Sequence, residues 1–180
     1  MLAALAINWA FLLLRVAIAM IFGVIVLVGP ELRSSGLVSL FGAYALSDGL
    51  LALVVALGVK GAAGFGSLLF EALVRLGVGI LAFVSPGWTA LALPDVFAAW
   101  AVLSGVAAIA TAITLRRDLT GEWPLPLAGF TSLLCGGLLL LGFRHQSLEW
   151  VIGPYAILFA LTLLALALRL RQIAAEIAAV

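Results

Sequence analysis

The stretch LAINWAFLLLRVAIAMIFGVIVLV, residues 5–28, determines the fold class of this chain, because it holds one charged residue, Arg15, in 24 positions. An α-helix of this length extends about 36 Å at about 1.5 Å per residue, and the hydrocarbon core of a bilayer is about 30 Å thick. Nothing basic precedes the stretch, and it is longer than the apolar region of an ordinary signal peptide. We therefore predict a membrane-spanning helix that the protein retains.

Five more apolar runs follow, separated by Pro, Gly and charged residues. They cover residues 37–59, 65–84, 96–115, 127–143 and 148–168. The runs are apolar on every side, whereas the strands of a membrane barrel alternate apolar and polar residues. We therefore predict an all-α polytopic membrane protein, with residues 1–180 forming a single domain of six transmembrane helices.

The composition excludes several protein classes. Hydrophobic residues make up 66% of the 180 residues, charged residues 9%, and the mean hydropathy is +1.35. So few charges cannot cover a water-facing surface, and a disordered chain needs low hydrophobicity. A net charge of +1 leaves no basic surface for nucleic acid. The expected partner is the lipid bilayer; a homo-oligomer is compatible with this composition, and the sequence indicates no particular protein partner.

The orientation follows from the basic residues outside the runs. Five lie on the side of the N-terminus and two on the other: Lys60, Arg116, Arg117, Arg169 and Arg171 against Arg33 and Arg144. Loops rich in Lys and Arg stay in the cytoplasm. We therefore expect both termini to be cytoplasmic.

The sequence repeats itself. One constant shift along the chain places Tyr44 on Trp100, Gly49 on Gly105 and Lys60 on Arg116, and a further shift of similar length carries Trp100 to Tyr155. The period predicts three two-helix hairpins, over residues 5–60, 61–116 and 117–171 approximately. Because each hairpin crosses twice, the three are parallel, and we expect an approximately threefold bundle.

Four charged residues lie within the predicted spans, and they are the candidate functional site: Arg15, Asp48, Glu71 and Arg75. Each costs about 2.5 to 3.5 kcal/mol at a helix centre, so we expect one self-neutralising network in the first three helices. Two interpretations stay open. Intramembrane carboxylates carry protons or line ion paths in transporters, and balanced ion pairs also hold helices together.

The chain resembles the HdeD family of small bacterial inner-membrane proteins associated with acid resistance. The resemblance rests on FGAYALSDG at 41–49, AITLR at 112–116 with GEW at 121–123, and WVIGPYAILF at 150–159. It implies a helical inner-membrane fold and a role in stress tolerance, and it assigns no catalytic residue. The chain departs from its own repeat at Ser104, which replaces the aspartate of the first repeat, and at Leu141, which replaces the proline of the first two.

Other residues carry weaker signals. His145, on the expected outer face, is a candidate pH-sensitive position, since histidine titrates near neutrality. Asp95 fits the start of a helix, and Cys135 fits a buried thiol. The sequence has no zinc-binding helix, nucleophile elbow or phosphate-binding loop, so we expect no enzyme activity, no metal and no cofactor.

The sequence therefore supports two functional hypotheses. The first is a non-enzymatic inner-membrane protein of the HdeD type that contributes to acid or envelope stress resistance. The second is a small transporter or proton-conducting protein that uses the Arg/Asp/Glu cluster.

Overall fold

A computed structural model describes residues 9–29, 34–61, 65–115, 124–141 and 148–178, and these residues form helices joined by short turns and bends. There are seven helices within these ranges. They are α1 (Trp9–Val28), α2 (Ser34–Gly58), α3 (Phe65–Val84), α4 (Pro86–Leu91), α5 (Leu93–Leu115), α6 (Pro124–Leu140) and α7 (Glu149–Ala178).

Five of these helices, α1, α2, α3, α5 and α7, are long and apolar enough to cross a membrane. The chain is thus all-helical with the spans of a multi-pass membrane protein. The prediction of six spans is supported for these five. Helix α6 is apolar but has 17 residues, and at about 1.5 Å per residue it extends about 25 Å, less than the full hydrocarbon core.

Two features of the helices differ from the sequence prediction. The short helix α4 lies in what was expected to be a loop, and it begins at Pro86, a residue favoured at the first position of a helix. Helix α7 continues to Ala178, well beyond the end of the apolar run at Leu168. Its last part contains Arg, Gln, Ala and Glu, which are strong helix formers, so the helix outlasts its apolar part.

The six helices other than α4 form a closed ring in chain order, with two kinds of interface. The closest packing joins α2 to α3, α5 to α6, and α7 back to α1. The looser contacts join α1 to α2, α3 to α5, and α6 to α7. The predicted hairpins are therefore the looser pairs, and the closest packing lies between one predicted hairpin and the next.

The three close interfaces repeat one contact. In each of them a glycine lies against an aliphatic side chain so closely that an added Cβ would fall 2.6 to 2.8 Å from that side chain. The pairs are Gly79 with Leu46, Gly136 with Val102, and Gly23 with Ile157. The three glycines follow one another along the chain at approximately the spacing of the sequence repeat, and so do their three partners. The helix packing therefore repeats with the same period as the sequence.

The interior consists of two apolar clusters that share helices α1, α2 and α7. The larger contains Phe22, Phe41, Phe97 and Trp100, with aliphatic residues around them. The smaller joins the start of α1, the end of α2 and the second half of α7 through Leu12, Val55, Val59, Leu166, Ala167 and Leu170. Along α1 and α2, the predicted charged site lies between these two clusters.

Candidate functional site

The structure brings the four charged residues of the predicted spans together inside the bundle. Arg15 comes from α1, Asp48 from α2, and Glu71 and Arg75 from α3. Their exposed fractions are 5%, 0%, 8% and 1%. We refer to these four residues as the charge network.

The charge network is closed by direct hydrogen bonds and ion pairs. Arg15 Nε donates to Asp48 Oδ1 at 2.7 Å, and Arg15 Nη2 donates to Asp48 Oδ2 at 3.4 Å. Arg75 donates from Nη1 to Asp48 Oδ2 and from Nη2 to Glu71 Oε1. Arg15 Nη2 also lies 3.8 Å from Glu71 Oε1. Each charge therefore contacts two opposite charges, and the sum is zero, which offsets the cost of taking four ions out of water.

Local sequence explains how α3 reaches Asp48. Glu71 and Arg75 lie four residues apart, so they share one face of α3, with the glutamate in the favourable N-terminal position. Next to Asp48 is Gly49, where an added Cβ would fall 2.9 Å from the backbone nitrogen of Leu76 and 3.1 Å from Arg75 Cβ. A glycine at this position therefore lets α3 approach α2 closely enough for Arg75 to reach Asp48.

Aromatic side chains of α5 and α7 lie against Arg75. Its guanidinium carbon lies 5.6 Å from the ring centroid of Trp100 on α5 and 5.6 Å from that of Phe159 on α7. The Trp100 ring in turn makes edge contacts with Tyr44 and Tyr155, at centroid distances of 5.9 and 6.2 Å. Cation–π contacts in a desolvated site stabilise a buried guanidinium, so α5 and α7 support a network whose charges come from α1 to α3.

The charge network occupies positions that are equivalent in the three repeats. Gly23, Gly79 and Gly136 are equivalent positions of the three repeats. The residues eight positions before these glycines are Arg15, Glu71 and Ala128. The residues four positions before the same glycines are Ala19, Arg75 and Ser132. On the facing helices the equivalent residues are Asp48, Ser104 and Phe159, and one turn earlier Tyr44, Trp100 and Tyr155. The first two repeats supply the charges, and the third supplies Ala128, Ser132 and Phe159.

A groove of about 170 Å³ lies between α1 and α2, and its lining includes Tyr44 and Ser47 together with the exposed side chains Ile21 and Ile25. The lining is mostly apolar, and Glu71 is not part of it. The groove therefore suits hydrocarbon better than water, and it does not open the charge network to solvent.

The remaining predicted positions lie apart from the charge network. Cys135 is a buried free thiol within the larger apolar cluster. Asp95 lies in the first turn of α5, where a carboxylate interacts favourably with the helix dipole. His145 lies outside the described residues. Within the described ranges, no group of three or more His, Cys, Asp or Glu side chains could hold a metal ion.

Comparison with known families gives one match, repeated along the chain. The profile of the family described as a short repeat of unknown function, DUF308, matches residues 14–79 and again residues 70–141. The chain belongs to the DUF308 family. The offset between the starts of the two DUF308 matches equals the separation of Gly23 from Gly79, which form equivalent glycine contacts. The DUF308 repeat is thus the unit of both sequence and packing.

Neither a curated protein nor a solved structure matches this DUF308 chain. No relative therefore identifies the site residues, and the candidate site rests on the contacts described above. The sequence indicated the four charges but not that Trp100 and Phe159 lie beside Arg75. The shift that aligns the repeats, applied to Asp48 and extended to the third repeat, points to Ser104 and Phe159.

Proposed function

We propose that this DUF308 protein is a non-enzymatic bacterial inner-membrane protein that contributes to acid or envelope stress resistance, and that its charge network holds the first three helices together. Proteins of the HdeD family carry the DUF308 repeat, which supports a role of that type. The proposal places both termini in the cytoplasm, with the lipid bilayer as the principal partner and a homo-oligomer as a further assembly.

One observation carries the structural role of the network. Each of the four charges is paired with opposite charges of the same network, and apolar clusters lie on both sides of them along α1 and α2. Such an arrangement gains little from solvent contact and loses a great deal if one member is removed, because the remaining charges are left unbalanced in an apolar interior. It therefore favours a fixed role in helix registry over a catalytic one.

Survival of the native host at low pH tests the proposal. A strain that lacks the gene is complemented with wild type, Asp48→Asn or Asp95→Asn, and protein levels in the membrane are compared with survival. We expect the deletion to lower survival, wild type and Asp95→Asn to restore it, and Asp48→Asn to fail through reduced protein level. Equal survival of the deletion strain and wild type in acid and in envelope stress would remove the proposed role.

A second candidate function is proton conduction. It is favoured by two carboxylates buried in spans α2 and α3, and by the buried hydroxyls of Tyr44 and Ser104, which have no hydrogen-bond partner in the described part of the chain. Proton flux in proteoliposomes separates the two candidates. Flux in wild type that Asp48→Asn abolishes supports conduction, whereas flux no greater than that of empty vesicles supports the structural role.

The proposed orientation is tested separately with fusions at the C-terminus. Alkaline phosphatase is active only outside the cytoplasm, and green fluorescent protein fluoresces when it folds inside. A fluorescent and phosphatase-negative C-terminus is the expected result, and the reverse pattern would invert the orientation.

A further inference from the structure

Four buried polar side-chain atoms, one of them in the charge network, have no hydrogen-bond partner among the described residues. They are Tyr44 Oη, Arg75 Nε, Trp100 Nε1 and Ser104 Oγ. The four residues are between 0% and 4% exposed. A buried polar atom without a partner costs about 1 to 3 kcal/mol, so each of the four requires a physical explanation.

Tyr44 and Arg75 both contact the Trp100 ring. The rings of Tyr44 and Trp100 meet edge to face at 5.9 Å, and the guanidinium carbon of Arg75 lies 5.6 Å from the Trp100 ring centroid. Ser104 follows Trp100 by one turn on the same face of α5. The unpartnered atoms thus belong to one group of side chains, contributed by α2, α3 and α5.

The chemistry of the atoms defines what could bind them. The N–H groups of Trp100 and Arg75 can only donate, and the two hydroxyls can donate as well. A ligand for this group must therefore accept hydrogen bonds. It must also be small, because the side chains around it are packed, and it must be neutral, because the charge network already sums to zero and an added anion would be uncompensated.

The third repeat shows how the same position is satisfied by the protein itself. Tyr155, the equivalent of Tyr44 and Trp100, shares a hydrogen bond of 2.9 Å with Ser132. The residue equivalent to Ser132 is Ala19 in the first repeat, which has no polar side-chain atom. Tyr44 therefore lacks the partner that Tyr155 has, for a reason that lies in the sequence.

We propose that Tyr44, Arg75, Trp100 and Ser104 form a binding site for a small neutral hydrogen-bond acceptor, with the chemistry of a water molecule, inside the bundle and beside the charge network. A water molecule with two to four polar partners is a normal component of a protein interior. In this position it supplies Arg75 with the acceptor that its Nε lacks. It also gives the network a neighbour that can exchange protons.

Nuclear magnetic resonance of the full chain in micelles, with the tryptophan indoles labelled with ¹⁵N, tests this site. The Trp100 signal is identified by its loss in Trp100→Phe, and its dipolar cross-peak to water is measured in the folded protein. Because Trp100 is 0% exposed, its indole N–H has no direct contact with bulk water. We expect a cross-peak in wild type, a clear loss of intensity in Tyr44→Phe, and full intensity in the matched control Tyr155→Phe.

Two further measurements keep the proposal falsifiable. Ser104→Ala removes another member of the site, and it is also expected to weaken the cross-peak if Tyr44→Phe does not fold. Replacement of chloride by gluconate is expected to leave the Trp100 indole shift unchanged. A missing wild-type cross-peak, equal loss in Tyr44→Phe and Tyr155→Phe, or an indole shift that follows chloride would each overturn the proposal, the last by identifying an anion as the ligand.

Discussion

Arg15 and Glu71 occupy the same position in successive DUF308 repeats, and Arg15 Nη2 lies 3.8 Å from Glu71 Oε1 near the centre of the bundle. In a ring of repeats, equivalent positions that face the interior lie close to one another. A repeat that carried the same charge in every copy would therefore place like charges together. Opposite charges at this position, with Ala128 in the third repeat, turn a repulsive arrangement into an attractive one.

Loss of the Asp48 carboxylate is expected to destabilise the fold strongly. Asp48 accepts hydrogen bonds from both Arg15 and Arg75 and is 0% exposed. Asp48→Asn leaves two arginines with a single carboxylate, so the free energy of unfolding should fall by about 3 to 5 kcal/mol. Unfolding by sodium dodecyl sulfate in mixed micelles measures this change. Asp95→Asn is the same chemical change at an exposed site in the first turn of α5, and it should lower stability by about 1 kcal/mol or less, the size of a helix-dipole contribution; equal losses would contradict the role of the network.

A pair of glycine substitutions tests the close interface between α2 and α3. A Cβ at Gly79 would lie 2.8 Å from the backbone nitrogen of Leu46, which cannot move independently of its helix, whereas nothing lies within 4 Å of a Cβ at Gly77. Gly79→Ala should destabilise the protein by about 1 to 3 kcal/mol. Gly77→Ala should stabilise it by about 0.5 to 1 kcal/mol, since alanine favours the helix. Thermal unfolding in detergent compares the two, and an unchanged midpoint for Gly79→Ala would argue against this interface.

The hydrogen bond between Ser132 and Tyr155 gives a prediction for the third repeat. Ser132→Ala leaves the buried Tyr155 hydroxyl without its side-chain partner, at an expected cost of about 1 to 3 kcal/mol. Adding Tyr155→Phe removes the unpartnered hydroxyl, so the double variant should be more stable than Ser132→Ala alone. Denaturation of Ser132→Ala, Tyr155→Phe and the double variant in the same detergent checks the order of stabilities. A double variant whose loss of stability equals the sum of the two single losses would show that the bond is unimportant.

The sequence predicted the helical membrane fold because hydropathy reports directly on the solvent around each segment. The four buried charges were found for the same reason, since Arg15 and Asp48 stand out in apolar runs. The close packing between hairpins was not predicted, because a repeat period shows which positions are equivalent and not which of them touch. Helix α4 was missed because its six residues are too few for a periodic pattern.

The aromatic surroundings of Arg75 were also out of reach of the sequence. Trp100 and Phe159 lie far from Arg75 along the chain, on two other helices, and only the closure of the ring brings them to it. Tyr44, Trp100 and Tyr155 were aligned by the repeat, but the alignment alone did not place them at the centre. Their role follows from the combination of the repeat with the glycine contacts that fix how the helices meet.

The most direct test of the charge network is a double-mutant cycle on Arg15 and Glu71. Arg15→Met leaves an excess negative charge in the interior, Glu71→Met leaves an excess positive charge, and the double variant restores neutrality with Asp48 and Arg75 still paired. Each single variant should lose about 3 to 5 kcal/mol of unfolding free energy. The double variant should lose less than the sum by about 1 to 3 kcal/mol. Strictly additive losses would contradict the central claim that the four buried charges act as one network.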